Sequence, residues 1–218
     1  MDEIIVRVLR AIACRTRLRI VSLLATGEES TPSQIARALC LDPDLVSAHL
    51  ARLDAAGLVC RRRSGARCYC AARSPYSGRA LSGQLARWLY GAFMTVPASA
   101  TAPSSLHRGY RETQDGARQA DDVFDAATAF THLRRLQILR RLAGGKVVDA
   151  LVLSRELRMS PAAVSRHVAK LVRRGYASAS ARGRRFLCQA APTGKTPLHT
   201  SLLGIVASHW GVRGALHT

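Results

Sequence analysis

Apolar residues recur at helical spacing in two separated parts of the chain. The spacing places one apolar face on a helix at Leu18, Ile20, Val21 and Leu24, and again at Leu136, Ile138, Leu139 and Leu142. Another helix is predicted before each of these, over residues 2–13 and 121–130. Gly27 and Gly145 are predicted to end the second helices, because glycine readily adopts the left-handed conformation that closes many helices.

A shorter helix follows in each region and leads through a tight turn into a further helix. Asp42-Pro43 and Ser160-Pro161 mark the start of that last helix, since Asp or Ser caps a first turn and proline fits its first position. Two short helices joined by a tight turn predict a helix-turn-helix. The first helix of each pair is predicted over residues 33–39 and 151–157. The last helix is predicted to expose a polar face that carries Ser47, His49 and Arg52 in one region and Ser165, Arg166, His167 and Lys170 in the other.

A basic segment after each helix-turn-helix predicts a β-hairpin, over residues 58–70 and 176–188. Gly65 and Gly183 stand at the two predicted tips. Helices followed by a basic hairpin, or wing, make a winged helix-turn-helix. The wings carry a set of arginines around these tips: Arg61, Arg62, Arg63, Arg67, Arg182, Arg184 and Arg185.

The two regions are copies of one unit. A shift of 118 residues places residues 11–72 on residues 129–190 without a gap, and about a third of the aligned positions are identical. A segment rich in Ala, Ser, Thr and Pro, residues 95–118, has the composition of a linker. The sequence therefore predicts a mainly α-helical chain with small β-hairpins, made of one winged helix-turn-helix repeat over residues 1–94 and another over residues 119–218.

The chain is strongly basic, with 33 Lys and Arg residues against 14 Asp and Glu residues and a formal net charge of +19. Such an excess makes a polyanion the expected partner, because Lys and Arg release condensed counterions when they contact phosphates. The sequence has no run of about 18 apolar residues, no signal peptide and no lipidation signal. We therefore expect a cytoplasmic protein whose partner is double-stranded DNA and not a membrane.

Four short runs resemble signatures of ArsR/SmtB-type repressors. They are residues 13–20, 45–53 and 56–59 in the first copy and residues 164–171 in the second. The resemblance implies a sequence-specific transcriptional repressor that lays the second helix of each helix-turn-helix in the major groove. A tandem fusion departs from the single-domain homodimer that is usual in this family.

The resemblance and the predicted helix faces together assign the DNA contacts. Base edges are expected to be read by Ser47, His49, Ser160, Ser165, Arg166 and His167. Arg52 and Lys170 stand a turn further along and are expected to touch phosphate, which positions the protein without reading sequence. The wing arginines are expected to follow the DNA backbone or to enter the adjacent minor groove.

Self-association is also implied by the resemblance, because the first and last helices form the dimer interface in this family. The corresponding last helices run from Arg79 to Met94 and from Leu198 to Val212. Either the two copies pair within one chain as an intramolecular pseudo-dimer, or two chains associate and present four winged helices. We expect the pseudo-dimer.

The copies differ in charge. Residues 129–190 contain 14 basic and 2 acidic residues, whereas residues 11–72 contain 9 basic and 5 acidic residues. Asp42 and Asp44 stand at the start of the first copy's recognition helix, where DNA phosphates would repel them. The second copy is therefore expected to supply most of the affinity.

The ligand sets of metal-sensing relatives are absent, so no cofactor is expected. The paired cysteines near the start of the helix-turn-helix are missing, and His199, His209 and His217 do not match the spacing of the last-helix site. A metal at these histidines is the weaker alternative to surface or interface histidines.

A second candidate for sensing is the wing of the first copy, with Cys60, Cys68 and Cys70. Cys68 and Cys70 share one strand face, and the hairpin brings Cys60 opposite them or one residue out of register. Neighbouring arginines are expected to lower the thiol pKa values and favour a thiol switch or a soft-metal site. The interpretation that we prefer is that these are small buried wing residues, because Cys188 stands alone at the matching position of the second copy.

Two other classes of function compete with that of a regulator. Tandem winged helices can also bind DNA architecturally or serve as protein-docking modules, without a small-molecule or metal signal. An enzyme is not expected, because the two repeats take up the chain and leave no phosphate-binding loop, catalytic triad or paired-carboxylate site.

Overall fold

The computed structural model describes residues 1–25, 28–94 and 114–211. Gly27, Val212, His217 and most of the predicted linker lie outside these residues. The described part is mainly helical, with one two-stranded and one three-stranded antiparallel sheet. The predicted fold class of two tandem winged helix-turn-helix domains is confirmed.

The first repeat follows the predicted order of helices and hairpin, with bounds close to those expected. Its described elements are α1 (Asp2–Ile12), α2 (Arg15–Ala25), α3 (Pro32–Leu39), α4 (Pro43–Ala55), β1 (Cys60–Ser64), β2 (Arg67–Ala71) and α5 (Leu81–Met94).

The second repeat has the same order with one added short strand. Its elements are α6 (Gln114–Thr128), α7 (Leu133–Leu142), β3 (Val148–Asp149), α8 (Ala150–Glu156), α9 (Pro161–Arg173), β4 (Ala177–Arg182), β5 (Arg185–Ala190) and α10 (Pro197–His209). Helix α6 begins before the predicted start at Asp121, so residues 114–118 of the predicted linker are helical. This stretch is mostly polar and has no apolar residues at helical spacing, so the sequence did not predict a helix there.

Contacts divide the chain into two compact units. The first unit comprises Arg7–Phe124, and the second comprises Met1–Val6 together with Asp125–Thr218. In the first unit Arg15 forms an ion pair with Asp121, and in the second the Trp210 indole donates to the Asp2 carboxylate at 3.1 Å. Each unit therefore includes a short helical segment that belongs in sequence to the other repeat.

Apolar side chains at the predicted positions form the cores. All eight residues that define the apolar faces of α2 and α7 are buried, as predicted: Leu18, Ile20, Val21, Leu24, Leu136, Ile138, Leu139 and Leu142. The second unit adds an aromatic pair, in which the rings of Phe130 and Tyr176 meet edge to face with centroids 4.6 Å apart. The Tyr176 hydroxyl donates to the Ala126 carbonyl at 3.3 Å, so its polar end is satisfied within this core.

The starts of both recognition helices are capped by the residues that the sequence predicts. The Asp42 carboxylate accepts the backbone N–H groups of Asp44 and Leu45 at 2.8 and 3.1 Å. The Ser160 hydroxyl accepts the backbone N–H of Ala163 at 3.2 Å. Because the first N–H groups of a helix have no partner within it, these caps fix where α4 and α9 begin.

The turn of each helix-turn-helix contains a residue in the left-handed conformation. These residues are Cys40, with φ 53°, and Arg158, with φ 49°, and they occupy equivalent positions. The next residue in each turn donates its backbone N–H to the preceding helix at 2.9 Å, from Leu41 to Ala36 and from Met159 to Ser154. The two repeats therefore share one turn geometry although their turn sequences differ.

The wings are two antiparallel hairpins that turn at the predicted glycines. Gly65 and Gly183 have φ values of 58° and 60°, which explains the need for glycine at both tips. In the first unit Ser30 makes a single bridge to Cys70, whereas in the second unit β3 pairs with β5 at the matching place. A central wing residue, Cys70 or Cys188, is fully buried in each case.

Candidate nucleic-acid interface

The recognition helix of the second unit, α9, presents a basic face to solvent. Ser165, Arg166 and Arg173 are exposed, and Lys170 is half-buried on the same side. Val164, Val168 and Leu171 are fully buried on the other side. The predicted division of α9 into an apolar and a polar face is therefore correct, except that His167 is half-buried at the boundary.

The recognition helix of the first unit, α4, presents a different face. Arg52 is exposed and Ser47 is half-buried, while His49 is only 9 % exposed. The prediction that His49 lies on the exposed face is wrong, because it stands three residues after Val46 and four before Leu53. Both of these residues are buried, and a helix brings such positions onto one side.

The wing arginines are at the surface in both units, as the sequence predicts. In the first wing Arg62 pairs with Glu29 at 2.5 Å, its guanidinium lies 5.3 Å from the centre of the Tyr69 ring, and Arg61 contacts the Cys68 thiol. In the second wing Arg182, Arg184 and Arg185 are exposed. Within the described residues no carboxylate forms an ion pair with these three arginines.

One arginine on the α9 face was not predicted from the sequence. Arg173 is exposed and follows Arg166 by seven residues, which is two helical turns. The spacing alone could have identified it, because residues seven apart share a face. Together Arg166, Lys170 and Arg173 give α9 three cations, and neither Ser160 nor any residue of α9 is acidic.

Two further arginines have a structural role that the sequence did not suggest. The Arg17 guanidinium donates to the carbonyls of Arg10 and Ala11 at the end of α1. The equivalent Arg135 donates to the carbonyls of Thr128 and Ala129 at 3.0 and 2.6 Å, at the end of α6. Because the last carbonyls of a helix have no partner within it, these arginines satisfy them from the following helix.

Histidines stand at equivalent positions beside these arginines. Burial lowers the pKa of His49 below its ordinary value, and the positive charges of Arg17 and Arg52 lower it further. Burial also lowers the pKa of His167, followed by the charges of His132, Arg135, Arg166 and Arg134. The rings of His132 and His167 lie with centroids 4.8 Å apart.

The lowered pKa values predict that acid destabilises the protein as the pH falls below about 6.5. Histidines in the unfolded chain bind protons near pH 6.5, whereas His49 and His167 in the folded chain bind them only at lower pH. The stabilisation is complete above the unfolded pKa and is lost as the pH falls below it. Urea denaturation at several pH values measures this loss, and the H49Q/H167Q variant should show a shallower decline. An equally steep decline in the variant would contradict the assignment.

The three wing cysteines do not form one cluster. Cys60 pairs with Ala71, while Arg61 pairs with Cys70 and Arg63 with Cys68. Because opposed residues share a face, Cys60 lies on the opposite face from Cys68 and Cys70. The expectation of a lowered thiol pKa is wrong for Cys70, since burial raises its pKa to about 11. Burial raises the pKa of Cys188, its counterpart in the second wing, to about 11 as well.

Neither the cysteines nor the histidines assemble a metal site in the part of the chain that the structure describes, where no three His, Cys, Asp or Glu side chains come together to hold an ion. His199 is buried, with its Nδ1 2.8 Å from the Thr196 hydroxyl and its ring 5.5 Å from Tyr176. His209 ends α10. Among the described residues no helix is long and apolar enough to cross a membrane.

Comparison with known proteins agrees with this geometry. Two capped helices with a shared turn, followed by a basic hairpin, define a winged helix-turn-helix, and the chain contains two of them. The family model described as "Bacterial regulatory protein, arsR family" matches twice, at residues 14–60 and 133–179. The chain therefore carries two tandem winged helix-turn-helix domains of the ArsR family, which are the domains of a DNA-binding transcriptional regulator. The resemblance predicted from the sequence is confirmed.

Two other comparisons complete these findings. Among solved structures, HlyU from Vibrio cholerae N16961 is similar at 20% identity and a TM-score of 0.36, and the match covers 43% of this chain and 97% of that one. No curated protein matches the sequence.

Proposed function

We propose that the protein represses transcription by binding a specific operator, chiefly through the second unit. The observation that carries the proposal is the set of exposed arginines on α9 and on the wing of β4 and β5. Arg166 and Arg173 on the helix and Arg182, Arg184 and Arg185 on the hairpin are all exposed. Within the described residues none of these five arginines forms an ion pair with a carboxylate, so their charges are available to phosphates and base edges.

Roles within this surface follow from position. Ser165 and Arg166 lie near the N-terminal half of α9, the part of a recognition helix that reaches base edges. Lys170 and Arg173 stand further along and contact phosphate. The Ser160 hydroxyl accepts a backbone N–H as the helix cap, and its own proton is left to donate to a phosphate oxygen.

The first unit contributes to the affinity mainly through the phosphate contacts of its wing. Arg63 and Arg67 are exposed near the tip, whereas Arg62 shares its charge with Glu29. The pairing of the two repeats within one chain, as a pseudo-dimer, stays a prediction from the sequence.

Mapping the genomic sites that the protein occupies, followed by binding assays on the mapped duplexes, tests this proposal. At physiological salt we expect an affinity at least about 1000-fold above that for random DNA, as is typical of specific regulators. We also expect log Kd to rise linearly with log salt concentration as phosphate contacts are screened. A reporter placed behind a mapped site should be expressed less when the protein is present. Equal affinity for mapped and random duplexes would instead support architectural binding.

A further inference from the structure

The two recognition helices share a scaffold but expose different chemistry. Both begin at a capped proline and follow a turn with the same left-handed residue. With the shift of 118 residues, five positions on the solvent side of α4 can be matched to five positions of α9. They are occupied by Asp44, Ala48, Ala51, Arg52 and Ala55 in α4 and by Ala162, Arg166, Ala169, Lys170 and Arg173 in α9. The two faces can therefore be compared position by position.

Charge separates the two faces. From its cap at Asp42 to its end, α4 carries three aspartates and one arginine, so its net charge is −2. The corresponding part of the second unit, from Ser160 through α9, carries three cations and no carboxylate, so its net charge is +3. Phosphates on both sides of a groove repel the first face and attract the second.

The exposed groups also differ in which base edges they can recognise. Arg166 offers the bidentate donor pair that fits guanine O6 and N7 in the major groove. The equivalent residue in α4 is Ala48, and its exposed neighbours are Ala51 and Leu45, the last 44% exposed. Such small apolar groups contact the thymine methyl, and the exposed Asp44 can accept a hydrogen bond from the cytosine amine.

We infer that the operator has no dyad symmetry: the second unit reads a guanine-containing half-site through Arg166, and the first unit reads a half-site of thymine and cytosine through Leu45, Ala48 and Asp44. Palindromic operators mirror the two-fold symmetry of proteins with identical recognition helices. Fusion of two unlike recognition helices in one chain removes that constraint. This inference rests on the proposed function, since it concerns which sequence the regulator selects.

Selection from random DNA tests the inference with the full chain. Duplexes randomised over about 30 base pairs can hold two half-sites one or two helical turns apart. The unaltered protein should enrich a motif with two unlike halves, of which one contains a preferred guanine. In R166A the preference for that guanine should fall by about 5-fold to 150-fold, with the other half unchanged. The matched variant D44A/A48R should introduce a guanine preference into the other half and make the motif more symmetric.

The outcomes separate this inference from the proposed function. A palindromic motif from the unaltered protein would overturn the inference and leave specific regulation intact. A motif with unlike halves that R166A does not change would overturn the assignment of Arg166. Binding without any enriched motif would overturn both, because it would show that the protein does not select sequence. All substituted positions are exposed, and thermal unfolding of each variant checks that its fold is retained.

Discussion

Replacing Arg166 and Lys170 by alanine should weaken operator binding far more than replacing Arg52 by alanine. Arg166 is exposed at a position that we propose reads base edges, and truncating such a contact costs about 1–3 kcal/mol, or about 5-fold to 150-fold in Kd. In the proposed function Lys170 adds a phosphate contact. Arg52 stands at the position equivalent to Lys170 but shares α4 with Asp44 and Asp54, whose charges oppose DNA.

Titration of a mapped operator by fluorescence anisotropy at several salt concentrations measures both effects. We expect K170A alone to lower the slope of log Kd against log salt by about one, with little change in sequence preference. R166A should lower the preference for operator over random DNA at every salt concentration. Equal losses for R166A/K170A and R52A would contradict the unequal roles of the two units.

The difference in charge between the two repeats could be predicted from the sequence. The excess of basic residues in the second copy and the aspartates of the first copy are visible without coordinates. The helix caps and turns could also be predicted from the sequence. Asp42-Pro43 and Ser160-Pro161 are local signals for the start of a helix, and tertiary packing does not override them. What the sequence could not give was which of the polar residues near the face boundary are exposed.

His49 illustrates that limit. Its polar character suggested a surface position, but its spacing from Val46 and Leu53 places it among the buried residues of α4. A histidine tolerates such a place as a neutral ring, and the lowered pKa is the electrostatic consequence. His167 lies at the equivalent place and is less buried.

The wing cysteines show a second limit. Sequence spacing correctly put Cys68 and Cys70 on one face, but the position of Cys60 depends on the strand register, which the turn geometry decides. The nearby arginines suggested lowered thiol pKa values. Burial instead dominates the pKa of Cys70, because removing a thiolate from water costs more free energy than its attraction to the exposed arginines supplies.

Replacing Arg135 by alanine should destabilise the second unit. Arg135 is half-buried and donates to the carbonyls of Thr128 and Ala129 and to the Thr131 hydroxyl at 2.6 Å. Hydrogen bonds to a charged group contribute about 1.5–3 kcal/mol, and R135A leaves the acceptors at the end of α6 without this donor. We expect R135A to lower the free energy of unfolding by about that amount in urea denaturation followed by circular dichroism.

The matched control is R140A, in the same helix and at an exposed position, which should change stability by less than about 0.5 kcal/mol. R135K should restore little of the loss, because a lysine ammonium cannot reproduce the planar set of donors that meets these acceptors. Arg135 also lies close enough to His167 and Lys170 to influence their pKa values, so a DNA contact is the alternative role. If R135A weakened operator binding and left the urea midpoint unchanged, the capping role would be wrong and Arg135 would belong to the DNA-binding surface.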